Sequence, residues 1–148
     1  MEIQITELSQ DDCVQYQQYC QLLSQLSPMD TNSITQCAFS DQLANIKSNP
    51  YHIILVAKKD NVIVGSTTVL IEPKFIHKLS KVAHIEDVVV SSEQRCHGIG
   101  SMLINKAIDA SKEAGCYKII LDCNETNSKY YSKFGFVKKE LHMAYYLE

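Results

Sequence analysis

No run of about 20 apolar residues, the length needed to cross a bilayer, occurs in this chain. Its first residues, MEIQITELSQDD, lack the basic stretch and apolar core of a secretory leader. A soluble, cytoplasmic protein with no membrane partner is therefore expected. Positive charge is also scarce: 14 Lys and Arg against 17 Asp and Glu leave a formal net charge of -3. That balance cannot neutralise a phosphate backbone, which argues against nucleic acid as a partner. The cysteines, Cys13, Cys20, Cys37, Cys96, Cys116 and Cys123, include no Cys-x-x-Cys pair and no Cys/His set at zinc spacing. Reduced, mostly buried thiols are expected, with no disulfide and no metal. Repeats, low-complexity tracts and linkers are absent as well, and 148 residues with 45% hydrophobic content suit one domain, 1–148, around one core. An anionic ligand would have to be drawn in by local cations and helix N-termini, because the overall field is negative.

What is present has a readable grammar. Residues 2–7 alternate as a short strand, and the apolar spacing from Asp11 to Leu26 suits one or two helices. Pro28 pushes Ser27 out of helical conformation, so residues 27–30 read as a loop. A second helix is expected from about Ser33 to Ile46. From Tyr51 onward, YHIILVAKK, an Asp60-Asn61 turn and VIVGSTTVLIEP form a hairpin. A polar connection, 74–80, leads into KVAHIEDVVV, which is too rich in valine and too poor in helical periodicity to be anything but a strand. GIGSMLINKAIDASKEAG is an amphipathic helix ending at Gly115. CYKIILDCN reads as a buried strand, 127–133 as a short helix closed by Gly135, and FVKKELHMAYYLE as a last strand. A hairpin followed by a right-handed β-α-β crossover predicts an α/β (or α+β) fold, a mixed and mostly antiparallel sheet with helices on both faces.

The most informative stretch joins Val88, Val89 and Val90 to a helix through Arg95-Cys96-His97-Gly98-Ile99-Gly100. A glycine-bearing loop that opens a helix leaves backbone N–H groups free and pointed outward, which suits a pyrophosphate, and Arg95 adds charge. The same Gly-x-Gly also arises for packing reasons alone. It is neither a P-loop, lacking Gly-Lys-Ser/Thr, nor a full dinucleotide GxGxxG.

At this point the chain resembles the GNAT acetyltransferase superfamily, whose members hold the CoA pyrophosphate on an Arg/Gln-x-x-Gly-x-Gly/Ala loop after a strand. Cys96 stands where many members have glycine. Reading outward, His84-Ile85-Glu86-Asp87, the block from Gly115 to Cys123, Asn127, Tyr130-Tyr131 and Gly135-Phe136 are similar to the glucosamine 6-phosphate N-acetyltransferase family. The similarity is close from about Glu72 to Phe136 and weak in the first fifty residues.

The resemblance implies acetyl-CoA as co-substrate, an amino-sugar phosphate as acceptor, no metal and a homodimer. It places the cofactor on Val88, Val89, Val90, Arg95, Cys96, His97, Gly98, Ile99, Gly100, Asn127 and Tyr131. The sugar falls to Ser27, Lys74, Phe75, Ile76, Glu86, Asp87 and Asp122, with His77 in the same substrate loop. Catalysis falls to Tyr131, as the acid that protonates departing CoA thiolate, with Asp122 and Glu86 positioning the acceptor. Each residue also has a plainer reading. Glu86 and Asp87 suit a sheet-edge ion pair, Asp122 a turn cap, Asn127 a helix cap, and the tyrosines a core with their hydroxyls at its rim. The family often places an arginine near its C-terminus for the phosphate. This chain instead ends Met143-Ala144-Tyr145-Tyr146-Leu147-Glu148, and a tyrosine offers no charged bidentate contact. Two rivals share the motif: an acetyltransferase for another small amine, and a non-catalytic acyl-CoA-binding module.

Overall fold

The computed structural model describes residues 2–148. Strand β1 (Ile3–Glu7) leads through a 3-10 turn to helix α1 (Tyr16–Leu23) and then α2 (Gln36–Lys47). Strands β2 (His52–Lys59) and β3 (Val62–Pro73) follow, then a short turn α3 (Ile76–Leu79) and strand β4 (Lys81–Val90). Helix α4 (Ile99–Glu113), strand β5 (Cys116–Ile120) and helix α5 (Glu125–Ser132) complete the regular structure. Among the described residues, no helix is long and apolar enough to cross a membrane.

Local chemistry accounts for the joints. Asp60 and Asn61 have φ of 52° and 65°, the pair of left-handed residues that matches a two-residue hairpin to the twist of its strands. Thr35 caps α2 by accepting from the Ala38 amide at 3.1 Å, so the helix starts at Gln36, three residues beyond the expected start at Ser33. Asn124 caps α5 by accepting from the Asn127 amide at 2.8 Å. The cap of that helix is thus Asn124, and the Asn127 side chain is released from the task.

The five strands lie in chain order, β1-β2-β3-β4-β5. The first three pairings are antiparallel and only β4 with β5 is parallel. Helix α4 buries Ile99, Leu103, Ile104 and Ala107 against Val69, Ile71, Ala83 and Ile85 on one face. Tyr19 and Leu22 of α1 and Leu43 of α2 cover Ile54, Val56, Ile63 and Val89 on the other. The mixed, mostly antiparallel sheet with helices on both faces is thereby met. Close approach of α4 depends on Gly65, where a Cβ would lie 3.0 Å from Leu103 Cδ1 and 3.2 Å from Ile99 Cγ2.

Two departures from regularity shape the molecule. Along β4 His84 and Glu86 stand opposite Leu70 and Thr68, as simple alternation predicts, but the register then shifts, with Ser66 opposite Val89. Asp87 takes the extra residue at φ 52°, and Thr67 donates its hydroxyl to the Glu86 carbonyl at 3.1 Å to hold this bulge. Asp87 therefore does not share the Ile85 face as strict alternation predicts; it is exposed while Ile85 is buried. In addition, β5 pairs with β4 only as far as His84↔Ile120. The remainder of β4 and the chain after β5 diverge, opening a wedge in the sheet.

Two sequence expectations need correction. Residues 137–148 form neither helix nor strand, so the expected last strand is missing. Val137, Leu141, Met143, Tyr145, Tyr146 and Leu147 are exposed; the segment pairs with no strand, and the far edge of β5 is left open. The thiols are all free, but only Cys13 and Cys20 are buried, while Cys37, Cys96 and Cys123 are exposed. Their helix and loop positions face outward, so cysteine's preference for the interior is overridden.

Candidate active site

At the mouth of the wedge the structure gathers acidic side chains from separate elements. Glu86 and Asp87 come from the β4 bulge, and Asp122 from just beyond β5. Partial burial, followed by the neighbouring Asp122 and Asp87 carboxylates, pushes the Glu86 carboxyl up from its ordinary range, while His84 and His142 oppose the rise. Like charges this close are unfavourable without a ligand to bridge them. The arrangement suits a molecule rich in hydroxyl and amine donors. Asp122 does not cap the next turn: its Oδ2 lies 2.8 Å from His142 Nδ1. A sheet-edge ion pair is no account of Glu86 either, for no cation of Lys or Arg is paired with it among the described residues.

Beside the carboxylates, the loop after β4 delivers the N-terminus of α4. Gly98 occupies the N-cap position at φ 77°, with no side-chain cap and no acidic residue in the first turn. The first N–H groups of a 15-residue helix are consequently available to an anion. Arg95 supplies charge at the same end, its Nε donating to the Val90 carbonyl at 3.3 Å, so that the rest of the guanidinium faces solvent. Cys96, at φ 69°, carries a Cβ in the left-handed region where glycine is at ease. Gly100 is needed for space: a Cβ there would fall 2.7 Å from the Tyr130 hydroxyl oxygen. Uncapped N–H groups and a cation at one helix end suit an anionic group such as a pyrophosphate.

Tyr130 and Tyr131 lie toward the end of α5, which begins at Glu125, two residues before the expected start at residue 127. Their rings meet edge to face at 5.2 Å, and Tyr131 also meets Phe136 at 6.2 Å. Tyr131 packs on the main core as a half-buried aromatic. Burial first, and then Tyr130 and Cys123, push its phenol up from the ordinary value of 10.0. It keeps its proton throughout the neutral range.

The connection between β3 and β4 is less simply disposed. Lys74 is paired with Glu72 at 3.0 Å, and His84 Nε2 lies 3.0 Å from the other Glu72 oxygen. These two contacts hold the Glu72 carboxyl below its ordinary range, the His84 hydrogen bond being the larger cause. Lys74 is thus joined through Glu72 and His84 to the neighbourhood of Glu86. His77, Lys78 and Leu79 all have left-handed dihedrals near φ 53–61°, and the His77 ring stacks on Tyr117 of β5 at 4.0 Å. Strain of this kind persists only where the surroundings hold it. Phe75, 92% exposed, and Ile76 project from the turn. Ser27 sits in the exposed turn after α1, and the nearby Gln25 side chain accepts from the Ser92 amide at 3.2 Å, tying that turn to the loop after β4. Among the described residues, no hydrogen bond links the Ser27 side chain to the acidic group.

His142 is the residue that the sequence does not single out. It lies in a segment without a readable period, and no nearby motif marks it.

The chain matches the model of the acetyltransferase (GNAT) family over residues 17–136. It is 41% identical over 131 residues to a probable glucosamine 6-phosphate N-acetyltransferase 2 of Oryza sativa subsp. japonica, covering 84% of this chain and 77% of the relative. It is 35% identical over 133 residues to the glucosamine 6-phosphate N-acetyltransferase of Arabidopsis thaliana, covering 88% of each. The crystal structure of glucosamine-6-phosphate N-acetyltransferase from Arabidopsis thaliana superposes with a TM-score of 0.91 at 33% identity, covering 100% of both chains.

Proposed function

Since the chain belongs to the GNAT acetyltransferase family, and within it to the glucosamine 6-phosphate N-acetyltransferases, we propose that it moves the acetyl group of acetyl-CoA to the 2-amine of glucosamine 6-phosphate. The product is N-acetylglucosamine 6-phosphate, a precursor of UDP-N-acetylglucosamine, formed by direct attack in a ternary complex. The observation that carries this reading is the acidic cluster of Glu86, Asp87 and Asp122 standing at the wedge beside the uncapped N-terminus of α4. One feature suits a polyhydroxy amine, the other a pyrophosphate.

In this reading, the Arg95–Gly100 loop receives the pyrophosphate, with His97 and Ile99 forming its wall and Asn127 free to reach the cofactor. The backbone of Val88, Val89 and Val90 lines the thioester arm, and an N–H near Val88 stabilises the oxyanion of the tetrahedral intermediate. Glu86, Asp87 and Asp122 hold the sugar hydroxyls and orient the amine, which must be neutral when it attacks. Collapse expels CoA thiolate, which Tyr131 protonates. Lys74, Phe75, Ile76 and Ser27 are assigned to the sugar phosphate side, where Lys74 shares its charge with Glu72 and no C-terminal arginine assists. No metal enters the scheme, and its setting is the cytoplasm.

Gly100 provides a sharp test of the cofactor assignment. Gly100→Ala forces the Tyr130 ring aside, and overpacking of this order raises KM for acetyl-CoA about tenfold. Initial rates at varied acetyl-CoA read it; an unchanged KM would remove the loop from the site.

The substrate itself is tested by acetyl-CoA-dependent thiol release with glucosamine 6-phosphate, glucosamine, spermidine and a short peptide amine. Rapid release with the phosphorylated sugar alone is expected. Release with another amine, or with none, would discard this acceptor. We assign residues 1–148 to one domain and the active unit to a homodimer. The exposed apolar side chains of residues 137–148 and the unpaired far edge of β5 support a second copy covering this side. Sedimentation should return the mass of two chains, and a single chain's mass would refute the dimer.

A further inference from the structure

Residues 137–148 lack helix and strand and are otherwise exposed, yet one side chain from them reaches the acidic cluster. His142 Nδ1 lies 2.8 Å from Asp122 Oδ2, with side chains 61% and 59% exposed. An ion pair so open to water contributes little to stability. Its effect is on the ring. A ring nitrogen facing a carboxylate donates, so Asp122 selects the Nδ1–H tautomer and leaves Nε2 with its lone pair. The groups around this ring are Asp122 in contact and Glu86 close by, with Asp87 and His84 beyond Glu86.

We propose that His142 is the base that deprotonates the acceptor amine, oriented by Asp122 at the mouth of the wedge. This rests on the acetyl-transfer reading given above. The acceptor arrives as an ammonium. Nε2 of His142 takes one of its protons, giving a neutral amine and an imidazolium held by the Asp122 carboxylate. The amine nitrogen bonds to the thioester carbon, and the C–S bond breaks as the intermediate collapses. Tyr131 gives its proton to the thiolate, the second proton lost from nitrogen passes through water to the Tyr131 phenolate, and His142 returns its own proton to water. The sum is ammonium plus acetyl-CoA giving amide, CoA thiol and a proton. Imidazole suits the first transfer better than the carboxylates do, because its basicity lies nearest to that needed at neutral pH.

The test uses the full-length enzyme with glucosamine 6-phosphate. His142→Ala is expected to lower kcat about 10²-fold with KM for acetyl-CoA unchanged, and added imidazole should restore part of the turnover. Imidazole should give nothing back to Tyr131→Phe. In nitrogen NMR of the wild type, the His142 ring should show protonated Nδ1 and bare Nε2, and Asp122→Asn should abolish that preference. Wild-type turnover with full kcat in His142→Ala, or a loss that imidazole leaves untouched, overturns the proposal alone. Wild-type protein that releases no CoA with this sugar overturns the transfer reading, and the base assignment falls with it.

Discussion

Tyr131→Phe is expected to lower kcat for acetyl transfer by about 10²-fold while changing either KM by no more than about twofold. The ring is fixed by Tyr130 and Phe136, and phenylalanine keeps those contacts, so substrate binding survives. What disappears is one proton. Burial raises the phenol above its ordinary value, so Tyr131 holds that proton throughout the neutral range. The thiolate it must meet forms in the same water-poor place, where its charge is equally unwelcome. Steady-state rates with both substrates varied check this, and an unchanged kcat would take Tyr131 out of the chemistry.

Glu86→Gln should weaken glucosamine 6-phosphate by about 10- to 100-fold in KM, the range for a lost charge-assisted hydrogen bond, and leave acetyl-CoA nearly unaffected. The same change should stabilise the fold. The Glu86 carboxyl stands above its ordinary 4.5 through burial and the Asp122 and Asp87 charges. The folded state then holds this proton more tightly than the unfolded one. The stability it contributes is greatest below 4.5 and declines as pH rises through the folded value. At neutral pH, glutamine relieves the repulsion, and melting should rise by about 1–3 °C. The gap should close in acid. A calorimetric series across pH reads the sign, and a variant that melts lower at pH 7 would show that Glu86 has a stabilising partner.

A stability gain joined to a binding loss is what distinguishes a site from a support. The same contrast explains what could be read in the sequence. The hairpin at Asp60-Asn61, the amphipathic α4 and the glycines before it follow from local rules, and all stand where those rules place them. The bulge at Asp87 does not, because its cause lies on another strand, in the Thr67 hydroxyl that holds the Glu86 carbonyl. Likewise, alternation along KVAHIEDVVV is sound for His84, Ile85 and Glu86 and fails one residue later. Asn124, three residues before Asn127, takes the cap that either could fill by type. The family resemblance brought Glu86, Asp122 and Tyr131 into view but passed over His142, whose meaning comes only from the contact with Asp122. The C-terminal segment has the pattern of a strand but joins none, although β5 leaves an edge free; strand pairing is decided by tertiary context, which a local pattern does not carry.

The order of the strands bears on how the site comes into being. Each strand borders the one before it in the chain, so none has to be threaded between two already in place. During synthesis the sheet grows outward from its oldest edge. A nascent chain that has reached Glu113 already contains the antiparallel meander and the pyrophosphate loop. It has no wedge, because the wedge is the gap between β4 and a strand not yet made. Asp122, Tyr131 and His142 are all translated after that gap opens. The pyrophosphate loop and the Glu86-Asp87 pair can therefore be in place while Asp122, Tyr131 and His142, which complete the site, are still inside the ribosome.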